Sequence, residues 1–438
     1  MTTEKWEVAP GHVETLTEEQ EKKLKLVWTY LLAFFGYKLV LPDARGLSRR
    51  STTNSVLSAK TENSTKSKGG LFGRFKKSHK KKESIEKLER VISHPETDTS
   101  SKEDVGGRIH YAFKGLDSDD MREAFWGFLR QDTPDNLVLR FVRARKWNVD
   151  KALVMMTDTM KWRCYEGKPD KILCSGELGC VENNKPGVIY QFQLGKCIIH
   201  GHDRKGRPIA MVRARKHHSS DQTPEEVEIY TLLIIEYARL MLNEPVDTCD
   251  VIFNLSKMTM ANMDWGAVSY IVRCFESHYP ESLGILFVHK APWIFSGIWR
   301  IVKTWLDPVV ASKIVFTNND KDLEKYIERD NIPKEVGGDD DYEWNYLDPT
   351  PTENGPLYHN EKEKKALEDE RKKLTDSFID KTIEWIEAPD DEVTARLLKE
   401  RIEIGKSMAK NYRKLDGYIR NRSFYDRTGS LNVENPTN

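Results

Sequence analysis

Residues 250–317 read DVIFNLSKMTMANMDWGAVSYIVRCFESHYPESLGILFVHKAPWIFSGIWRIVKTWLDPVVASKIVFT. Three short apolar runs, Asp250 to Leu255, Leu283 to His289 and Ile314 to Thr317, have the length and composition of buried strands. Helical patterns fill the intervals, over Ala261 to His278 and over Ala291 to Lys313. Strands alternating with helices at this spacing predict a largely parallel sheet with right-handed crossovers, hence an α/β fold. The second helical stretch places Phe295, Ile298, Trp299, Val302, Trp305 and Leu306 at steps of three and four, the stripe of one helix face. A helix covering an ordinary core has that pattern. So does a helix that meets lipid, because indole rings favour the membrane interface while Arg300 and Lys303 keep their heads among water or phosphates.

The alternation extends upstream. Val188 to Leu194 and Cys197 to His202 read as strands, and the turn Asp203-Arg204-Lys205-Gly206 leads into Arg207 to Ala214. Thr223-Pro224-Glu225-Glu226 opens a long apolar helix with a capping box. Residues 107–166 read as several short helices: Thr133-Pro134 opens one and Asn148 caps another. A capping box of Thr17 and Gln20 starts a first helix over 17–35, striped by Leu24, Val27, Trp28, Leu31, Leu32 and Phe35. Beyond Pro349, Pro351 and Pro356, residues 357–387 and 391–420 read as a helical hairpin.

Acidic and basic residues balance, 69 against 69, so bulk charge selects no partner. Charged residues make up 32%, which predicts long exposed helices or disordered segments beside one sizeable core. Residues 43–104 have that disordered composition. Within them TKSKGGLFGRFKKSHKKK, residues 65–82, carries eight Lys or Arg and no acid, interrupted by Leu71, Phe72 and Phe75. Such a stretch suits an anionic membrane at roughly 1 kcal/mol per cation; a nucleic acid, an import factor or plain solvation would use it equally. No apolar run approaches the length of a membrane span, and the amino-terminal residues lack a secretory pattern. The six cysteines form no CxxC pair and read as reduced, mostly buried thiols of a cytosolic protein.

Enzymatic signatures are scarce: no GxGxxG, P-loop, GxSxG or HExxH occurs. His200 and His202 share a strand, and His217-His218 follow the next one; these imidazoles read as a polar hairpin surface rather than as zinc or haem ligands. Glu281 and Lys313 each stand just before a strand. Charges there are usually solvated ends. The alternative is a polar cluster at a pocket wall, where a carboxylate accepts sugar or inositol hydroxyls and an ammonium donates to phosphate.

Four motifs carry a resemblance: LRFVRARKWNVDKA (Leu139 to Ala152), CFESHYPESLG (Cys274 to Gly284), APWIFSGIWRIVKTWLDPVVASKI (Ala291 to Ile314) and IPKEVGG (Ile332 to Gly338). In this order they resemble the fungal CRAL-TRIO phosphatidylinositol-transfer proteins, and the outer helices resemble a non-classical subgroup of the chitin-synthase-suppressor type. The resemblance implies a hydrophobic pocket on one face of the sheet, with the Trp-rich helix as its gate and membrane contact. It assigns the phosphatidylinositol headgroup to Arg145, Glu281 and Lys313. Val310 departs from the threonine of the founding member, which removes one phosphate contact. Cys249 and Val251 replace the serine and threonine of the phosphatidylcholine site, and Asn254 replaces an aspartate. Weak or absent phosphatidylcholine binding follows, and the second ligand is expected to be more apolar, a sterol or an isoprenoid hydrocarbon.

The expected organisation is an N-terminal helix (1–42), a disordered basic linker (43–104), a helical CRAL-TRIO N-terminal domain (105–175), the CRAL-TRIO lipid-binding domain (176–340), a linker (341–356), a C-terminal helical hairpin (357–425) and a tail (426–438). The expected function is to bind phosphatidylinositol, carry it between membranes or present it to lipid-metabolising enzymes, and so serve phospholipid homeostasis. No catalysis, metal, cofactor or nucleic acid is expected; the partners are the phospholipid, a membrane met transiently, and a lipid kinase or similar enzyme. The expected location is cytoplasmic, with peripheral association to endoplasmic reticulum, endosome or other internal membranes. A lipid-sensing regulatory scaffold is the competing reading, and deletion of residues 1–104 is the discriminating experiment.

Overall fold

The structure is a computed structural model that describes residues 8–39 and 110–433. The expected linker 43–104, with its basic stretch, and the last residues of the tail lie outside the described residues. Helices α1 (Glu18–Phe34), α2 (Ser118–Leu129), α3 (Pro134–Ala144), α4 (Val149–Lys161), α5 (Pro169–Glu182) and α6 (Pro186–Leu194) precede the first strand. There follow β1 (Cys197–His202), β2 (Pro208–Arg213), α7 (Pro224–Leu240), β3 (Cys249–Asn254), α8 (Trp265–Arg273), β4 (Leu283–His289), α9 (Phe295–Val302), α10 (Pro308–Ser312) and β5 (Ile314–Thr317). Helices α11 (Glu361–Ile386), α12 (Asp391–Ile419) and α13 (Phe424–Arg427) close the described chain.

The five strands lie in chain order across one sheet. β1 and β2 are antiparallel, and every later neighbour is parallel. The tight turn between the first two is built by Asp203, whose Oδ1 accepts the N–H groups of Lys205 and Arg207, both at 2.8 Å, while Gly206 takes φ +72°. Strand alternation then sorts the side chains. Ile198, Ile209, Met211, Ile252 and Phe287 pack on one face against Leu323, Ile327, Ile332 and Val336. Cys249, Val251 and Phe253 point to the other face, which carries the site.

Three expectations need correction. Val188 to Leu194, read as a strand, is helix α6. Its residues have good strand propensity, but three signals outvote them. Pro186 stands at the first helical position, Gly195 closes the helix at φ +58°, and the Gly187 N–H near its start donates to Glu226 Oε1 on α7 at 2.7 Å. That carboxylate lies 39 residues on in the chain, where local pattern cannot see it. Gly195 is also sterically required: a Cβ there would lie 2.6 Å from the Trp344 indole. The second correction concerns Ala291 to Lys313, read as one helix. It is two, α9 and α10, joined through a turn at Lys303 to Leu306. Pro308 cannot continue a helix and holds Asp307 extended (ψ 144°), and the Asp307 carboxylate caps α10 by accepting the Val309 N–H at 2.8 Å. Similarly, the helix expected from Ala261 begins at Trp265, capped by Asp264, and passes into a π-helical turn over Cys274–His278.

One buried charge ties together three parts of the helical layer. Asp135 Oδ1 on α3 accepts from Trp28 Nε1 of α1 at 2.7 Å and from Arg401 Nη2 of α12 at 2.6 Å. The Arg401 guanidinium lies 3.9 Å from the ring centre of Trp385 on α11. The hairpin α11–α12 is thereby fastened to α1 and α3. Thr133 takes the cap position of α3 as expected, but its hydroxyl makes no capping bond. Gly176, at φ +56°, kinks α5 where the sequence reading places a domain boundary. Edge strand β1 is covered by tyrosines: the Ile199 N–H donates to Tyr425 Oη and the Cys197 N–H to Tyr230 Oη, both at 2.9 Å.

Candidate functional site

A cavity of about 290 Å³ lies between the sheet and helices α7, α8, α9 and α10. Cys249, Val251, Phe253, Leu286, Val288 and Ile314 form its floor. Ile234, Ile235 and Ala238 of α7 and Val268, Ile271 and Val272 of α8 form walls. Phe295, Ile298, Trp299, Val302, Leu306 and Val310 close it from the gate segment. Of the six expected gate residues, five line the cavity. Trp305 instead is buried against Trp265, ring centres 5.9 Å apart at 70°, and so ties the turn after α9 to α8. Trp299 leans edge-on to Phe316 at 5.3 Å. Trp293, just before α9, is 87% exposed, a feature that periodicity reading passed over because it lies outside the stripe.

The sheet brings two of the three expected headgroup residues together. Glu281 precedes β4 and Lys313 precedes β5, so parallel pairing sets them side by side, with Lys313 Nζ 3.5 Å from Glu281 Oε2. Both side chains are partly exposed. Lys313 Nζ also donates to the Leu283 carbonyl at 2.9 Å. Glu281 takes φ +53°, and Arg140 Nη1 donates to its carbonyl oxygen at 2.8 Å. Arg145 is placed differently. Its charged neighbours are Glu276 and Asp307; burial lowers its pKa, and those two carboxylates oppose the shift. Glu276 lines the cavity, donates nothing when ionised, and accepts the Asp307 N–H at 3.0 Å; burial pushes its carboxyl above the ordinary range. Arg145 thus belongs to the polar rim formed with Glu276, and the structure does not put it in contact with Glu281 or Lys313. Neither Arg140 nor Glu276 was singled out by sequence as a site residue; the signal available was only that they lie within the motifs Leu139 to Ala152 and Cys274 to Gly284.

Cys249 and Val251 both face the cavity. The Cys249 thiol donates to the Pro208 carbonyl at 3.1 Å, and burial raises its pKa. At the opposite end of the strands stands a second polar group. Lys196 is 5% exposed, lines the cavity, and donates to Gln222 Oε1. Its Nζ lies 3.4 Å from His217 Nδ1, and His217 Nε2 lies 3.2 Å from Asp264 Oδ2. Burial brings the ammonium down to about 8, against which Asp221 and Asp264 act. His200, on the other face of the hairpin, pairs with Asp340 at 2.9 Å and stacks on Tyr342 at 3.7 Å. His200 and His217 therefore have separate carboxylate partners, and among the described residues no cluster of three or more His, Cys, Asp or Glu has the geometry of a metal site. Among the described residues, no helix is long and apolar enough to cross a membrane.

An oily chamber on one sheet face, rimmed by charged groups at both strand ends, defines a binding protein for an apolar or amphiphilic guest. Comparison with known proteins agrees. Residues 192–338 match the CRAL/TRIO domain and residues 75–158 the CRAL/TRIO N-terminal domain. The chain is 45% identical to the phosphatidylinositol transfer protein CSR1 of Eremothecium gossypii, over 97% of this chain and 99% of that relative. It is 37% identical to a CRAL-TRIO domain-containing protein of Schizosaccharomyces pombe, over 96% of this chain and 92% of the other. A solved structure, that of Sfh5, covers 64% of this chain and 96% of its own at 15% identity and a TM-score of 0.38. The chain belongs to the CRAL-TRIO family.

Proposed function

We propose that this chain binds phosphatidylinositol in the chamber and moves it between membranes. The observation that carries this reading is the apolar cavity closed by the Trp-bearing segment, with the Glu281–Lys313 pair beside its edge. The name of the 45% identical relative supports the choice of lipid. The physical need is clear. A two-chain phospholipid holds roughly 30 methylenes, and at about 0.8 kcal/mol each their exposure to water costs on the order of 25 kcal/mol. A carrier that opens against the bilayer offers a continuous apolar path instead. The work is binding, so acid, base and nucleophile have no part in it, and the chain is read as a carrier rather than a catalyst.

In this reading Lys313 donates to the headgroup phosphate and Glu281 accepts inositol hydroxyls, exchanging their mutual contact for the ligand. Arg145 adds positive potential from the Glu276 rim. At about 290 Å³ the cavity is at the small end of ligand pockets, which run about 300–1,000 Å³, so entry of two acyl chains calls for displacement of α9 and α10. The exposed Trp293 at the start of the gate is the anchor for the membrane step. Because Cys249 and Val251 present sulfur and methyl groups to the chamber, phosphatidylcholine lacks the hydroxyl partners it would need, and a sterol or isoprenoid hydrocarbon is the better second guest. The proposed setting is the cytoplasmic face of endoplasmic reticulum or endosomes, with a lipid kinase or related enzyme as recipient.

The test is transfer of labelled phosphatidylinositol between vesicles by the full chain and by a Glu281→Ala/Lys313→Ala double variant. Transfer should fall at least about tenfold with an unchanged melting temperature, as expected from the loss of charge-assisted hydrogen bonds. Undiminished transfer by the folded double variant would show that the headgroup lies elsewhere.

A further inference from the structure

The chamber has two charged ends, and only one is used by the reading above. Lys196 sits beside the start of β1, where Cys197 pairs with Val212 near the end of β2, and Arg213 in turn pairs with Asn254 at the end of β3. Glu281 and Lys313 sit before β4 and β5. The six residues of β3 separate these ends by about 17 Å, at about 3.3 Å per residue.

Lys196 is the anomaly. Among the described residues no carboxylate lies within ion-pair distance of its buried ammonium. Its nearest acceptors are Gln222 Oε1 and His217 Nδ1, neither of them a carboxylate. The other cation on that wall, Arg213, is satisfied by Glu335 at 2.7 Å and by the Gly195 carbonyl at 3.1 Å. Asp264 does not reach Lys196 directly: its Oδ2 faces His217, and its Oδ1 accepts the Gly266 and Ala267 N–H groups at 2.9 and 3.1 Å. Asn262 fixes the same corner by donating to the carbonyls of Arg215 and His217 at 3.1 and 3.0 Å. An ammonium has three donors. Two point at Gln222 and His217, the second of them distant and neither a carboxylate, and the side chain borders an otherwise oily cavity. A buried cation without a counter-ion is costly, and an anion carried in by an apolar guest relieves that cost.

We propose that Lys196, held by His217 and Gln222, is a second recognition point that takes the carboxylate of a long-chain fatty acid whose tail occupies the apolar chamber. This rests on the reading of the chamber as a lipid site. The carboxylate forms a charge-assisted hydrogen bond with Nζ, while His217 stays oriented by Asp264.

The test measures binding of oleate, methyl oleate and oleyl alcohol to the delipidated full chain by titration calorimetry, with phosphatidylinositol uptake from vesicles in parallel. Oleate should bind about tenfold more tightly than methyl oleate or oleyl alcohol. Lys196→Met should lose that preference while keeping affinity for methyl oleate, and Lys196→Arg should retain it. Equal binding of oleate and its methyl ester by the unaltered chain would overturn the proposal, whether or not Lys196→Met folds. So would undiminished oleate preference in Lys196→Met, or tighter binding of the alcohol, which would mark a site for neutral oxygen. Phosphatidylinositol uptake without oleate preference defeats this inference alone; failure to take up any of these lipids defeats the reading of the chamber itself.

Discussion

At the scale of single residues, the proposed selectivity of the chamber rests on a few side chains whose neighbours are fixed by strand pairing. Cys249→Ser with Val251→Thr puts two hydroxyls on the cavity floor. Phosphatidylcholine uptake should rise several-fold from a low base in a vesicle assay, and no gain would sever ligand choice from these positions. His278 makes a different prediction. It is buried, stacked on Trp162 with ring centres 4.1 Å apart, and burial holds its imidazole at about 3. The unfolded chain takes up this proton as pH falls through about 6.5, whereas the folded chain refuses it until about 3. Stability is therefore lost progressively on acidification below about 6.5, by about 2 kcal/mol at pH 5. The difference in unfolding free energy between the unaltered chain and His278→Gln should shift by about that amount between pH 7 and 5; a constant difference would refute the assignment. Sequence motifs exposed Glu281 and Lys313 because each marks a strand start. Lys196, Arg140 and Glu276 stayed hidden, since their significance depends on what the fold places beside them.

At the scale of elements, α9 and α10 line one side of the cavity and are its proposed gate, while α1, α3 and α12 form the frame. The exposed Trp293 should anchor the gate at the bilayer: Trp293→Ala should lower vesicle association several-fold while leaving stability within about 0.5 kcal/mol, as for an exposed side chain away from the core. Sedimentation with vesicles measures the first and chemical denaturation the second. In the frame, Arg401→Met leaves Asp135 buried without its cationic partner and should cost about 3–5 kcal/mol, with Asp135→Asn in the same chain recovering part of the loss. Urea titration of the two variants decides it. Helix α1 was legible from its capping box and stripe, and β1 to β5 from their apolar runs. Helix α6 was not, because the strand propensity of Val188 to Leu194 masked the local signals of Pro186 and Gly195, and the supporting Glu226 comes from a distant helix. The single long gate helix was an over-reading: the apolar period runs through Lys303 to Leu306, but Pro308 and the Asp307 cap impose the break.

At the scale of the whole molecule, the helical layer and the lipid chamber share side chains, which changes how the carrier and scaffold readings can be separated. Removal of residues 1–104 would take away α1, whose Leu24, Val27, Trp28, Leu31 and Leu32 are all fully buried, and so would report on folding rather than on scaffolding. Phe34 and Phe113 stack with ring centres 4.3 Å apart, and Ser118 Oγ donates to the Phe34 carbonyl at 2.9 Å, so the chain on either side of the linker is already held together. Replacing residues 43–104 with a short Gly/Ser linker should therefore preserve the melting temperature and vesicle-to-vesicle transfer; loss of transfer with the fold intact would favour the scaffold. The most direct measurement of the central claim is mass spectrometry of lipid extracted from the purified full chain. The account predicts about one phosphatidylinositol per chain, lost in Glu281→Ala/Lys313→Ala; a chain that purifies empty and stays empty after incubation with phosphatidylinositol vesicles would contradict it.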